Sequence, residues 1–455
     1  MRKQLIHPLV LAILTLFVQA THASGASNMV HEKVLKNGLK VLVKEDHRAP
    51  VVVSQVWYKV GSSYEYDGIT GVSHVLEHMM FQGTENLAPG EFSKIIAANG
   101  GRENAFTGTD YTAYFQTMES SRLEVSMRLE AERMHRLKLD EKEFIKERQV
   151  VMEERRMRTE DVPQSQTYEY FQAAAYIASP YKNPIIGWMQ DLESMTLADL
   201  AAWYKRWYAP NNATLVVVGD VQAAEVFKLA DKYFGDIPRV DFEAVKQRQQ
   251  IPQLGMKRSV VKQTAKLPYL LMGYKVPVLN SVSDDEDIYA LEMISGVLSG
   301  GASARLNAEL VRNQQVAASI SAGFNLHSRL PSLFMFDGVP TEKHTLANLE
   351  QAVAEQIQSL KDKLVSAHEL ERIKAQVIAA SVYEKDSNFY QAMQLGQLET
   401  VGLGWQKEAE YVEKLKAVTA QQILQAAKKY FIDDHLTVVY MEPIVSKETN
   451  QNGVK

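Results

Sequence analysis

The sequence contains no cysteine among its 455 residues. Disulfide bonds and lipid attachment at a cysteine are therefore excluded, and a metal site must use histidine and carboxylate ligands. A basic excess is missing as well, because 50 lysines and arginines stand against 55 aspartates and glutamates, for a formal net charge of −5. This balance provides neither the electrostatic footprint of a nucleic-acid-binding protein nor a polybasic membrane patch.

A serine-hydrolase motif and a membrane-spanning run are also missing. No Gly-x-Ser-x-Gly elbow occurs, so a Ser/His/Asp hydrolase finds no support. The apolar stretch at residues 5–18 follows a short basic start and is too short to span a bilayer. With the small residues Thr21 and Ala23 it predicts a signal peptide at residues 1–23; cleavage after Ala26 and retention as an anchor are the alternatives. We therefore expect an exported protein, in the bacterial periplasm, without a stable membrane anchor.

Apolar segments separated by glycine-rich turns predict an alternation of strands and helices. Asn37-Gly38 is typical of a hairpin turn between two strands. A third strand is predicted at residues 50–62 and a helix at 71–84, where glycine follows the apolar pattern. A single strand rich in threonine and aromatic residues is predicted at 104–118, and a long helix at 140–159.

The order of elements partly repeats in the second half of the chain. A strand followed by a glycine-terminated helix occurs at residues 50–84 and again at 267–301, which indicates two related halves. Between them a polar segment with Pro252 and Gly255 is typical of a linker. The predicted organisation is a first domain at residues 28–244, a linker at 245–258, a second domain at 259–445 and a mobile tail at 446–455.

The segment HVLEH in the first domain predicts a metal site. His74 and His78 are four residues apart on the predicted helix, so both rings lie on one face and can bind one zinc ion. Glu77 shares much of that face, and its carboxylate could take a proton from water at the metal without being a ligand. The alternative is a hydrogen-bonded histidine pair in the core. In the second domain, the residues that align with His74 and His78 are Tyr289 and Met293, so no histidine is present there.

A third ligand is predicted on the helix at 140–159. Glu147 and Glu154 both fall on an apolar stripe with Val150, Val151 and Met157, and a buried carboxylate needs a partner. Seven residues correspond to about 10 Å along a helix, so one ion does not bind both. One is a ligand and the other orients the site, or either forms a buried salt bridge. The run EERRMR is interpreted as the solvated face of the same helix.

The chain resembles the pitrilysin family of zinc peptidases, the inverzincins. The segments that carry the resemblance are GVSHVLEHMMFQGT, GGRENAFTGTDYTAYF, ERQVVMEE, SPYKNPIIGW and WYAPNNATLVVVGD, in the order found in the family. The resemblance implies that His74, His78 and Glu154 bind zinc, since the family's third ligand lies about 76 residues after the second histidine. It also implies that Glu77 is the general base and that Glu147 supports the site.

The resemblance further implies how substrate binds. Asn104, Ala105 and Phe106 match the start of an edge strand to which an extended peptide adds by backbone pairing, although Phe106 is also compatible with plain core packing. One departure concerns the second half. Where many relatives carry an arginine and a tyrosine that hold substrate and stabilise the oxyanion, this chain has Val311 and Ala318.

These expectations combine into one hypothesis. The fold class is α+β, with two related halves, each a mixed, mostly antiparallel sheet packed with helices, facing each other around a chamber. The protein is expected to be a zinc endopeptidase with one Zn²⁺ per chain that hydrolyses extended or unfolded peptides; manganese or cobalt also suits the ligand set. A homodimer or a heterodimer with a second family chain is expected, without nucleic acid. The alternative is a non-catalytic peptide-binding or scaffolding subunit.

Overall fold

A computed structural model of the chain describes residues 29–243, 246 and 248–444. The predicted signal peptide at residues 1–23 and the predicted tail at 446–455 lie outside the described residues, as does part of the predicted linker. Within the described part, no helix is both long enough and apolar enough to cross a membrane.

Eleven strands in the described residues form two sheets. The first sheet has the order β1-β2-β6-β3-β5-β4 and the second the order β7-β11-β8-β10-β9. The strands are β1 Val30–Val34, β2 Lys40–Glu45, β3 Val51–Tyr58, β4 Arg102–Thr107, β5 Thr112–Glu119, β6 Ala213–Gly219, β7 Lys257–Gln263, β8 Tyr269–Val276, β9 Ala317–Gly323, β10 Ser332–Pro340 and β11 Leu436–Pro443.

Fourteen α-helices in the described residues pack on these sheets. Those in the first half are α1 Val72–Met79, α2 Glu91–Ala98, α3 Leu123–Arg136, α4 Glu141–Arg155, α5 Pro163–Ala175, α6 Met189–Ser194, α7 Leu197–Trp207 and α8 Ala223–Phe234. Those in the second half are α9 Glu286–Ser299, α10 Leu346–Asp362, α11 Ala367–Glu384, α12 Asn388–Thr400, α13 Lys407–Ala417 and α14 Ala420–Tyr430.

The two sheets share one pairing pattern. In the first, β2 and β6 are parallel and every other pair is antiparallel. In the second, β7 and β11 are parallel and the remaining pairs are antiparallel. Strands β4 and β9 are therefore equivalent edge strands of the two sheets. The expected α+β class, with two mixed and mostly antiparallel sheets, is confirmed.

Three element boundaries differ from the sequence-based predictions. The single strand predicted at residues 104–118 is a hairpin of β4 and β5, in which Gly108 N–H donates to Tyr111 C=O at 2.7 Å. Continuous β-forming residues on both sides hid this turn. The helix predicted at 140–159 is α-helical only as far as α4 extends, and a π-helical segment, Arg156–Glu160, follows it. Strand β7 begins inside the last two residues of the linker predicted at 245–258.

The outer face of each sheet is covered by a helix from the other half. Helix α12 packs on β3 and β6 of the first sheet, where Leu395 joins an apolar cluster around Trp57 and Val216. Helix α5 packs on β8 and β11 of the second sheet, where Phe171 contacts the buried cluster that includes Leu271. Two apolar clusters, each built from residues of both halves, thus form a reciprocal interface between the halves.

A buried ion pair joins the halves on one side of this interface. Arg329 of the second half lies with its Nε 3.2 Å from Asp110 Oδ1 and donates from Nη2 to Ser63 Oγ at 2.7 Å. Tyr181 donates to the other oxygen of Asp110 at 2.5 Å. The pair is almost fully buried, and Arg329 also stacks 4.2 Å from the ring centre of Tyr64. A buried carboxylate needs such partners, so this cluster fixes the relative position of the halves.

Replacing Gly396 by alanine is expected to weaken the reciprocal interface. A Cβ at this position of α12 would lie 2.1 Å from Trp57 Nε1, and that indole is fully buried and donates to Gln55 Oε1 at 2.8 Å. Alanine normally stabilises a helix by about 1 kcal/mol over glycine, yet overpacking costs about 1–3 kcal/mol. We expect a net fall in the free energy of unfolding, measured by urea denaturation, and partial recovery in the Trp57→Phe/Gly396→Ala double variant. Wild-type stability of Gly396→Ala would contradict this packing.

Candidate metal centre

Helix α1 is held at its N-terminus by a buried carboxylate. Glu65 accepts from the backbone N–H of Gly71 at 2.7 Å and of Ser73 at 2.9 Å. These are donors that the helix itself leaves without partners. Burial raises the pKa of Glu65 to about 7, and the two backbone hydrogen bonds oppose that shift. Val75 and Leu76 bury the opposite side of the helix in the first core. The helix that carries HVLEH is therefore fixed in position and rotation.

The structure brings His74, His78 and Glu154 together. Glu154 Oε2 lies 3.8 Å from His74 Nε2 and 3.5 Å from His78 Nε2, and the three ligand atoms all lie within 4.8 Å of one another. A tetrahedral zinc ion with ligands at about 2.0–2.1 Å requires ligand atoms about 3.3–3.4 Å apart. The donor set fits a zinc ion with one open position, and the observed distances of 3.5 and 3.8 Å from Glu154 to the histidines mean that the side chains must move inward by a few tenths of an ångström to bind it.

The pKa values of the two histidines shift in opposite directions. Burial and the neighbouring His78 lower the pKa of His74 to about 3, so its imidazole is neutral and offers a lone pair. Burial also lowers the pKa of His78, but the hydrogen bond to Glu147 and the charges of Glu77 and Glu154 outweigh it, and the net shift is upward. A cation at this position is therefore favoured by the surrounding carboxylates.

Glu147 lies behind the cluster. Its Oε2 is 3.2 Å from His78 Nδ1, and its Oε1 accepts from Gln82 Nε2 at 2.9 Å. The hydrogen bond to His78 holds the pKa of Glu147 below its ordinary value. A carboxylate on the far nitrogen of an imidazole fixes the ring and its tautomer, so Glu147 can orient His78 while Nε2 faces the cluster.

The apolar stripe predicted along this helix is only partly formed. Val151 is buried, but Val150 and Met157 are exposed at 43% and 64%. Met157 falls outside the stripe because the α-helical repeat ends before it. Glu147 is buried and Glu154 is half-buried. Both carboxylates lie next to the histidines of α1, so their burial results from that contact and not from an apolar stripe.

Glu77 lies beside the cluster and faces a cavity. It is buried, and its Oε2 accepts from the hydroxyl of Thr107 at 2.5 Å. Burial raises the pKa of Glu77, and the Thr107 hydrogen bond partly opposes that shift. A carboxylate with a raised pKa is a stronger base than an exposed one and is suited to accept a proton.

A cavity of about 890 Å³ opens in front of these groups. Its lining includes the three cluster residues and Glu77, and also the predicted binding residues Asn104, Ala105 and Phe106. Side chains of the π-helical segment and of α5 complete the lining. Strand β4 carries the predicted binding residues, and among the described strands it pairs only with β5, so its other edge is not bonded to any of them. The Phe106 ring also packs edge-on 5.4 Å from Trp57, so it contributes to both the cavity and the core.

The second half contributes little to this cavity. Tyr269 at the start of β8 lines it from the second sheet. Val311 is half-buried against the second core, and Ala318 is exposed on the edge strand β9. Neither side chain can donate a hydrogen bond to substrate.

Sequence reasoning missed two residues of the site. Thr107 directly follows the predicted binding residues, and its hydroxyl carries the contact to Glu77. Arg158, interpreted from the sequence as part of a solvated face, lines the cavity with its Nη1 2.5 Å from Glu154 Oε1. The four-residue spacing between Glu154 and Arg158 was the available signal.

Comparison with known families gives two matches that together cover most of the chain. The model described as insulinase, peptidase family M16, matches residues 40–188, which include the metal cluster. The model described as the peptidase M16 inactive domain matches residues 194–377, which contain strands β6 to β10.

Similar proteins include named zinc proteases. The zinc protease PqqE of Helicobacter pylori is 34% identical, over 91% of this chain and 93% of the relative. The crystal structure of a protease from Helicobacter pylori has a TM-score of 0.86 at 32% identity, covering 91% of this chain and all of that one. The periplasmic protease PqqL of Escherichia coli has a TM-score of 0.77 at 19% identity over 92% of this chain and 48% of its own, and supports the fold alone.

Proposed function

The chain belongs to the insulinase family of zinc peptidases, peptidase family M16, and on that premise we propose that it is an exported zinc endopeptidase acting on extended or unfolded peptides. The observation that carries the proposal is the convergence of His74, His78 and Glu154 beside Glu77, at one end of a cavity flanked by a free strand edge. One zinc ion per chain and a periplasmic location are parts of the same proposal.

The ligands and the base divide the chemistry between them. His74, His78 and Glu154 would hold the ion, and Glu147 keeps His78 in the required orientation. When bound there, zinc supplies Lewis-acid polarisation of a carbonyl and a lowered pKa for water. Glu77 takes the proton from the attacking water and returns it to the leaving amine. Thr107 holds the carboxylate of Glu77 against the cavity wall during both transfers.

The free edge of β4 determines the form of the substrate. Within β4 the Ala105 N–H donates to Asn104 Oδ1 at 2.9 Å. An extended peptide backbone can add along the edge opposite β5 in place of this local contact, and pockets beside the strand then read alternate side chains. Asn104 and Ala105 supply this edge, and Phe106 adds an apolar surface. A folded protein keeps its backbone groups paired internally, so unfolded segments and short peptides are the proposed substrates.

Cleavage of a mixed pool of internally quenched peptides by the chain from residue 24 tests the proposal. We expect hydrolysis that stops when a chelator removes the metal and returns when zinc is restored, because the ligand cluster has no other source of Lewis acidity. A tightly folded protein offered in parallel should resist until it is unfolded. Zinc binding without cleavage would indicate that a second family chain is needed.

The alternative is a non-catalytic subunit that binds peptides or scaffolds a partner. Val311 and Ala318 favour it, because they provide no hydrogen bond at positions where relatives hold substrate. A chain that binds peptides but neither binds zinc nor cleaves any member of the pool would establish this alternative.

A further inference from the structure

Peptide hydrolysis places negative charge on the substrate carbonyl oxygen. As the water oxygen bonds to the carbonyl carbon, the π pair moves onto the carbonyl oxygen; the C–N bond then breaks and the amine takes the proton held by Glu77. Donors aimed at the charged oxygen lower this barrier. In this chain the second half has Val311 and Ala318 at the two positions named above instead of donors, so side chains of the first half that line the cavity become candidates.

Three tyrosines line the cavity, and the hydroxyls of two of them already donate hydrogen bonds to aspartates. Tyr181 donates to Asp110 at 2.5 Å, and Tyr269 donates to Asp337 at 3.1 Å. The Tyr168 hydroxyl accepts a hydrogen bond from the side-chain amide of Gln172, so its own proton can still be donated to another group. The tyrosines therefore leave at most one neutral donor.

Two cationic side chains line the cavity, Arg158 and Lys182. Lys182 Nζ lies 3.9 Å from Asp67 Oδ1, and within residues 29–243, 246 and 248–444 no ion pair joins it to the metal cluster. Arg158 Nη1 lies 2.5 Å from Glu154 Oε1, while the Oε2 of the same carboxylate faces both histidines. The guanidinium is thus separated from the ligand atoms by the width of one carboxylate group.

The π-helical segment presents Arg158 to the cavity. Its widened turn is closed by Asp161 N–H donating to Arg156 C=O at 2.8 Å, and such turns are frequent at functional sites. The Arg158 side chain is 76% exposed, and its ion pair with Glu154 occupies one end of a group with five N–H donors. Within the part of the chain that the structure describes, no other ion pair or hydrogen bond occupies the remaining donors, and the residue lines the cavity.

We propose, on the premise of the peptidase function, that Arg158 is a catalytic residue that donates to the substrate carbonyl oxygen as it becomes charged. It replaces in the first half the arginine and tyrosine that are absent at positions 311 and 318. A guanidinium suits this role because it is always charged and its planar fork can contact Glu154 and a substrate oxygen at once.

The test compares Arg158→Gln and Arg158→Lys with a matched control, Arg156→Gln, in the zinc-loaded chain from residue 24. Arg156 lies two residues away, its side chain is 38% exposed, and it pairs with Glu153; neither residue lines the cavity. Cleavage of one quenched peptide gives kcat and KM, and competition with a chromogenic chelator gives the zinc affinity. Tyr168→Phe is measured beside them.

We expect Arg158→Gln to lower kcat about 10²-fold with little change in KM, as for loss of one oxyanion donor. The zinc affinity should stay at the wild-type value, lysine should recover part of kcat, and Arg156→Gln should behave as wild type. A fall in zinc affinity in step with activity would show that Arg158 only holds Glu154. That result, an unchanged kcat, or a larger loss in Tyr168→Phe would overturn the assignment. Absence of both zinc binding and cleavage in the wild-type chain would instead overturn the peptidase function. Zinc binding without cleavage would overturn the assignment of Arg158, because the missing donor would then have to come from a second chain.

Discussion

Replacing Glu77 by glutamine is expected to lower peptide turnover by about 10²–10⁴-fold while zinc remains bound. Glutamine has the size of glutamate and can still accept the Thr107 hydrogen bond through its carbonyl oxygen. It cannot take a proton at neutral pH. The ligand atoms of His74, His78 and Glu154 are unchanged by the substitution, so metal content and thermal stability should match the wild type.

A surface variant makes the Glu77 result specific. Glu85→Gln removes the same charge from an exposed position shortly after α1 and should leave turnover unchanged. Turnover is measured with the peptide pool, and zinc per chain is measured by elemental analysis of the same samples. If Glu77→Gln retained activity within a few-fold of the wild type, another group would have to be the base.

Replacing Glu154 by glutamine is expected to weaken zinc binding more than 100-fold, since changes to groups that merely orient metal ligands already cost about 10–100-fold. The amide loses the negative charge that faces the Nε2 atoms of His74 and His78. Glu153→Gln is a closely matched control, because Glu153 is the preceding residue on the same helix and its side chain is 54% exposed. It should bind zinc as the wild type does.

Thermal unfolding with and without zinc gives a readout that is independent of catalysis. A ligand at 100 times its Kd stabilises the folded state by about 2.7 kcal/mol. We therefore expect added zinc to raise the Tm of the wild type and of Glu153→Gln but not that of Glu154→Gln. An equal Tm rise in all three proteins would remove Glu154 from the ligand set, and Glu147 would become the candidate.

The parts of the site that depend on local spacing could be predicted from the sequence. Four residues along a helix place His74 and His78 on one face in any α-helical context, and the structure has them on α1. The partner from another helix was harder, because Glu147 and Glu154 looked alike on the predicted stripe. The resemblance to a known family chose Glu154, and the geometry places both carboxylates beside the histidines.

Features that depend on tertiary contacts escaped sequence reasoning. The hairpin of β4 and β5 was merged into one strand because its turn carries a weak signal between strong β-forming residues. The expectation that Arg158 is exposed is confirmed, but the sequence did not indicate that this residue lines the cavity. The π-helical segment that places it there has no marker in the residue pattern. The pairing of Arg329 with Asp110 joins positions 219 residues apart, which no local pattern reports.

The reciprocal covering of the sheets has a consequence for biosynthesis. The last strand of the first sheet ends at Gly219, and the helix that covers its outer face begins at Asn388, 169 positions later (388 − 219). At about 5–20 residues per second, a ribosome needs roughly 8–34 s to make that interval. Throughout it the nascent chain presents Trp57 and its apolar neighbours without their cover. We expect a chaperone that prevents aggregation to bind the nascent chain at this apolar surface until the second half has been synthesised.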